Sequence, residues 1–274
     1  MNGVFIILLA LQMVGGEFTY TVVSGDSLTS VGARYGVEVR ALAEMNGLGP
    51  SAKLKPGQTL QVDNRHIAPA ARGTDILINI PQRMLFLYEE NSVRGYPIAA
   101  GKRTWKTPLG KFTIMTLEED PVWDVPPSIQ AEMRAQGKPV LTKVPPSPAN
   151  PLGRYWIGTS LPGIGIHGTN APSSIFSLQT HGCIRLHPDN IEELFGRVQV
   201  GATGQTIYEP VLLTGTADGV FLEVHPDTYK TGSDPLVAVR ELARLTGLED
   251  VLNWSAVNET IKKRDGMARR VSLR

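Results

Sequence analysis

The chain has 274 residues, 42% hydrophobic and 19% charged, which suits one to three folded domains and excludes a disordered or coiled-coil sequence. A net charge of +1 gives no electrostatic basis for nucleic acid binding, and 28 glycines with 20 prolines point to many turns and β-rich architecture. With one cysteine, Cys183, no intramolecular disulfide is possible.

The chain opens MNGVFIILLALQMVGG, with an apolar run over residues 4–14 broken only by Gln12. The run is shorter than the roughly 20 residues of a membrane span and fits a secretory h-region. Gly15 and Gly16 supply small residues near a cleavage point, although no Lys or Arg precedes the run. Residues 1–16 are therefore expected to be a signal peptide, the alternative being a buried N-terminal strand. Export makes Cys183 informative, because an unpaired thiol in an oxidising compartment is either buried and inert or reactive and useful.

Residues 18–63 read as β-α-α-β. Residues 20–23 form a β-type run, and Asp26 in the Ser24-Gly25-Asp26 turn can cap a helix. Leu28, Val31 and Tyr35 follow at helical spacing up to Gly36. Val39, Leu42 and Ala43 mark a second helix ended by Asn46-Gly47, and residues 59–62 return as a strand after Lys55-Pro56-Gly57-Gln58. YTV-x-SGDSL, a Tyr-Gly helix end, Leu-x-x-x-Asn-Gly-Leu and LKPGQTLQV, in that order, resemble a LysM module. The resemblance implies binding to N-acetylglucosamine-containing glycan of peptidoglycan, through Gly25, Asp26, Ser27 and Leu28 with Asn46, Gly47 and Leu48. For Asp26 capping competes with ligand contact and is preferred.

Residues 64–74 lack periodicity and read as a linker containing His66. Strands are expected over 75–80, 84–88, 96–100 and 111–115, and short turns between successive strands imply an antiparallel β-domain. Residues 121–151 hold eight of the twenty prolines, with a short helix expected over 129–136. Trp123 and Met133 argue against disorder, so the segment is expected to be an ordered lid or wall beside a site.

IGIHGT at 164–169 and THGCIR at 180–185 bring a histidine and the only thiol into one argument. An imidazole can take the proton of a thiol and return one to a leaving amine, and backbone N–H groups near a nucleophile can hold an oxyanion. Separately, a buried Cys and a lone His are more often structural. Together, with Gly and His flanking the thiol, they favour acyl transfer. HGTN…THGCIRLHP, GKRTWKTPLGKFTI and the PPSIQAEM stretch resemble the L,D-transpeptidase (YkuD-type) catalytic domain over about residues 74–210. Leu186, where many members have Met, is a mild departure. The resemblance implies Cys183 as nucleophile, His167 as general base and acid, and the Gly168 carbonyl as orienter of the imidazole. It places His181 beside the thiol, with the amides of His181, Gly182 and Cys183 as oxyanion hole. Thr180 is expected to support the loop. Arg185 is expected either to fix that loop, which is preferred, or to meet a substrate carboxylate.

Asp189 and Glu192 fit a capping box for the helix entered at IEELF, so His187 is read as structural. The five histidines and one Cys give no metal cluster, and no cofactor is expected. After residue 210 a strand and turn (VFLEVHPDTY), a helix over 236–245 ended by Gly247, and a basic end follow. LEVHPDTY resembles the C-terminal extension of the ErfK/YbiS-like subgroup, which includes enzymes that anchor lipoprotein to peptidoglycan. The expected fold class is mixed and mainly β: a βααβ LysM module (18–63), a β-rich catalytic domain (75–210) and a C-terminal α/β extension (211–274). The expected activity is transpeptidation on tetrapeptide stems in the periplasm, in association with the cell wall. Acceptors would be another stem, a lipoprotein lysine or a D-amino acid. The alternatives are an L,D-carboxypeptidase or amidase on the same site, and a non-catalytic wall-binding scaffold.

Overall fold

Alternating side chains on Glu17–Thr21 and Thr59–Asp63 build an antiparallel ribbon with Phe18 opposite Val62 and Tyr20 opposite Leu60. Residues 11–273 are described in this computed structural model. Two helices, Leu28–Tyr35 and Val39–Met45, cover the ribbon and bury Leu28, Val31, Val37 and Leu42 against Leu60 and Val62. The first helix is capped by Ser27 through a reciprocal capping box with Ser30, and Gly36 ends it at φ 75°. Asp26 is not the cap. Its carboxylate accepts from the Tyr20 hydroxyl (2.6 Å) and the Val23 amide (2.9 Å), which closes the turn before the helix.

Strands between Ile76 and Ile207 form a nine-stranded sheet that closes on itself. Closure comes from one long strand, Ser92–Gly101, whose first half pairs with Met84–Glu89 and whose second half pairs with Ile184–Leu186 and Leu178–Thr180. Ile76, Ile78, Leu85, Ile98, Ile114, Ile157, Ile166 and Ile184 fill its interior. The expectation of an antiparallel domain is corrected here. Gly165–His167 runs parallel to Ile184–Leu186, Thr203–Ile207 parallel to Ile76–Asn79, and Leu178–Thr180 parallel to the long strand. Each parallel pair needs a long crossover between its strands, and sequence patterning carries no sign of which crossovers a chain makes.

Residues 64–74, read as a linker, contain a short strand. His66–Ile67 pairs antiparallel with Met13–Val14, and His66, Ile67 and Ala68 are buried. Residues 1–10 of the expected signal peptide lie outside the described residues. Within residues 11–16, Met13–Val14 form a short strand: Val14 is buried, the Ala68 amide donates to the Gln12 carbonyl, and the Thr214 hydroxyl donates to the Leu11 carbonyl.

The C-terminal extension is a three-stranded sheet (Val211–Thr216, Gly219–Val224, Arg269–Arg270) backed by the helices Pro235–Thr246 and Trp254–Lys263. Their apolar sides, with Val239, Ala243 and Val257, pack on Leu213 and Leu222. The extension also touches both other parts. Met267 sits in the LysM core, and Lys263 pairs with Glu44 at 3.3 Å. Glu223 is fully buried between His66 and His225, each ring 2.8 Å from its Oε1, while Gln82 donates to the same oxygen at 3.0 Å.

Candidate active site

Strand register gathers the site. Ile166 is opposite Ile184 and His167 opposite Arg185, so the chain places Cys183 opposite Gly165. Side chains alternate along a strand and neighbouring strands lie about 4.8 Å apart, so Cys183, His167 and Arg185 project from one face of the parallel pair. Gly165 sits where a Cβ would come within 2.3 Å of the Trp156 indole. Its absence lets Trp156 lie over the strand and stack on the His167 ring, centroids 5.8 Å apart.

His167 is buried, and its Nδ1 donates to the Gly168 carbonyl at 2.7 Å. That bond puts the ring proton on Nδ1 and leaves Nε2 as an acceptor. Burial, reinforced by the Arg185 charge, pushes the pKa of His167 down to about 3. Burial pushes the Cys183 thiol up, opposed by a bond from the Gly165 backbone and by Arg185. Both groups therefore rest neutral, and the Cys183 thiol donates to the Gly163 carbonyl at 3.5 Å. Arg185 reaches Ser174 Oγ through Nη1 at 2.9 Å and has no ion pair among the described residues, while its buried Nε has no hydrogen bond. Its positive charge thus acts on Cys183 and His167 uncompensated by a carboxylate.

The loop that carries Cys183 is held from inside by Thr180. The Thr180 hydroxyl donates to the Cys183 carbonyl (2.6 Å) and accepts from the Gly182 amide (3.2 Å). Gly182 has φ 111°, where a side chain is strained, and a Cβ there would meet Ile164 at 2.9 Å. The Gly182 N–H, expected to line the oxyanion hole, is committed to Thr180, because the tight turn at Gly182 folds that amide back onto the hydroxyl. His181 faces the lid: Nε2 donates to Glu132 Oε2 at 2.7 Å, with Lys102 Nζ 3.3 Å away and the Trp105 ring centroid at 4.0 Å. Burial pushes the His181 pKa down, and the bond to Glu132 works against that.

Glu132 lies on the helix Pro127–Ala135, inside the proline-rich segment. The sequence suggested a lid there but not which residue would reach the site. Lys102, Trp105 and Thr107 fall within GKRTWKT and Tyr229 within LEVHPDTY. Both stretches stood out by resemblance, but neither carries a spacing that assigns roles. His187 caps the helix Pro188–Phe195 by accepting from the Asp189 amide at 3.3 Å, so the cap lies two residues ahead of the expected Asp189. Among the described residues no group of three or more His, Cys, Asp or Glu could hold a metal ion.

The expected glycan contacts fall into two sets. Gly25 and Gly47 are exposed. Leu28 is buried core, Ser27 is the helix cap, and Asn46 ties the second helix to the ribbon through the Leu42 carbonyl and both backbone groups of Gln61. Leu48 packs partly buried against the LysM core.

The family profile described as the L,D-transpeptidase catalytic domain matches residues 73–212, and that of the LysM domain matches residues 20–63. The chain is 31% identical over 276 residues to "Probable L,D-transpeptidase YbiS" of Escherichia coli (strain K12), covering 95% of this chain and 89% of that one. It is 33% identical over 231 residues to "Probable L,D-transpeptidase YcfS" of the same strain, covering 80% and 72%. Among solved structures, "L,D-transpeptidase from Mycobacterium smegmatis" aligns with a TM-score of 0.37 at 18% identity, covering 72% of this chain and 98% of that one.

Proposed function

The chain belongs to the L,D-transpeptidase family, and from that membership we propose that it is a peptidoglycan acyltransferase with Cys183 as its nucleophile. The observation that carries the reading is the shared face of the parallel strand pair, with the buried His167 imidazole held through Nδ1 by the Gly168 carbonyl. Cys183 Sγ attacks the acyl carbon between the third residue of a tetrapeptide stem and its terminal D-Ala. A carbon–sulfur bond forms, the thiol proton passes to His167 Nε2, and the collapsing intermediate breaks the carbon–nitrogen bond as His167 protonates the departing amine. With Gly182 N–H engaged, the amides of His181 and Cys183 are the donors to the oxyanion. The thioester then passes to an amine: a second stem, a lipoprotein lysine or a D-amino acid.

In this reading the protein works at the wall in the periplasm, and glycan binding by the LysM domain raises the concentration of stems around Cys183. Mass spectrometry of the protein with disaccharide-tetrapeptide, with and without an amine, tests the reading beside Cys183→Ala. A crosslinked or amine-exchanged product that needs Cys183 is expected. Trimming to tripeptide despite abundant amine would identify a hydrolase. Absence of any adduct on Cys183 in folded protein would leave a binding scaffold.

A further inference from the structure

We infer that Tyr229, delivered by the C-terminal extension, is a positioning residue for the nucleophile loop, acting through Thr107 on the peptide that carries the Cys183 amide. The inference rests on the proposed role of Cys183. Tyr229 is 4% exposed and packs in the core of the closed sheet rather than in the extension's own core. Its hydroxyl donates to the Gly101 carbonyl at 2.7 Å and accepts from the Thr107 amide at 3.2 Å. One phenol oxygen therefore pins both ends of the loop Gly101–Thr107. The loop is closed so tightly that a Cβ on Gly101 would lie 2.5 Å from the Thr107 nitrogen.

Thr107 passes the constraint on. Its hydroxyl accepts from the Gly101 amide (2.9 Å) and donates to the Gly182 carbonyl (2.8 Å). A peptide unit is planar and trans, so fixing the Gly182 oxygen fixes the Cys183 N–H in the opposite direction. That control is needed because a glycine permits rotation of the adjoining peptide at little cost. A rotated peptide would turn a carbonyl oxygen toward the site where the oxyanion needs a donor. Tyr229 and Thr107 thus set the aim of an oxyanion donor without touching substrate.

The test uses the full chain with Tyr229→Phe, Thr107→Val, the double variant, and Thr107→Ser. Three quantities are read on folded protein counted by thiol titration: kcat and KM for D-Ala release, the rate of acyl adduct formation, and the pH profile of iodoacetamide alkylation. Tyr229→Phe and Thr107→Val should each lower kcat and acylation about 10- to 100-fold, with KM and alkylation within about twofold, because alkylation needs no oxyanion donor. Thr107→Ser should restore the rate, and the double variant should be no slower than Thr107→Val. Variants that melt earlier but keep kcat within about twofold per folded molecule would show a brace for stability alone and overturn the inference. So would multiplicative losses in the double variant. Cys183→Ala that still releases D-Ala overturns the proposed function, and this inference with it. An inert Cys183→Ala beside a fully active Tyr229→Phe overturns only the inference.

Discussion

The protonation states of His167 and Cys183 are set by burial more than by each other. With its pKa near 3, His167 stays neutral from neutral pH down to that value, so the proposed base is in its basic form throughout. The acylation rate should therefore show no acid limb around the ordinary histidine value of about 6.5. A pH profile of kcat/KM that falls through that region in the wild type would contradict the assignment. A neutral resting pair also means that His167 does not ionise the thiol before substrate arrives. His167→Gln should cut acylation by roughly 10²–10⁴-fold while iodoacetamide alkylation at neutral pH changes little. A parallel collapse of both rates would indicate a thiolate–imidazolium pair instead.

The proline-rich lid is the least anchored element near the site. The helix Pro127–Ala135 has no buried residue. Its base is the short pair Trp123–Asp124 and Lys143–Val144, and Asn150 donates to the Pro121 carbonyl at 2.9 Å to close the loop. Over the site, the helix is held by Glu132 on His181 and Lys102. Exposed ion pairs hold an element only weakly, so Glu132→Gln should loosen the helix and raise kcat/KM for long stems about two- to fivefold. Amide exchange over residues 127–135 should quicken. Unchanged exchange would mean that the contact does not hold the lid.

Elements such as the LysM helices were legible because apolar spacing and the stops at Gly36 and Asn46-Gly47 are local. Cys183 and His167 stood out because a thiol and an imidazole in glycine-rich surroundings have a chemistry of their own. Glu132 did not, since it is an ordinary exposed glutamate until the lid folds over His181. Tyr229 and Thr107 meet across 122 positions, and no periodic pattern records such a contact. The parallel crossovers escaped for the same reason.

For the whole molecule, the buried carboxylate of Glu223 is the main joint. Burial opposes its charge, but His66 and His225 outweigh burial and hold its pKa below the carboxylate range. Burial also opposes protonation of His66, and Glu223 more than offsets it, so His66 is raised. A lowered carboxylate contributes stability above its unfolded value of about 4.3 and loses it as pH falls through the folded value. A raised histidine contributes below about 6.5 and loses its contribution as pH rises through the folded value. Glu223→Gln should therefore cost on the order of 3 kcal/mol near pH 6 in urea melts, and the cost should shrink as pH rises through the folded value of His66. A cost that is smaller near pH 6 than at alkaline pH would contradict a charged His66 paired with Glu223.

Met267 adds a consequence in time. Domains of a growing chain tend to fold from the N-terminus as they emerge. The LysM core, however, is closed by a methionine from the C-terminal extension, and Lys263 grips its second helix from the same side. The first module to be made is thus among the last to be finished. Until the extension arrives, the module presents an unfilled apolar gap, so a chain whose synthesis stops early carries a wall-binding module that is incompletely packed.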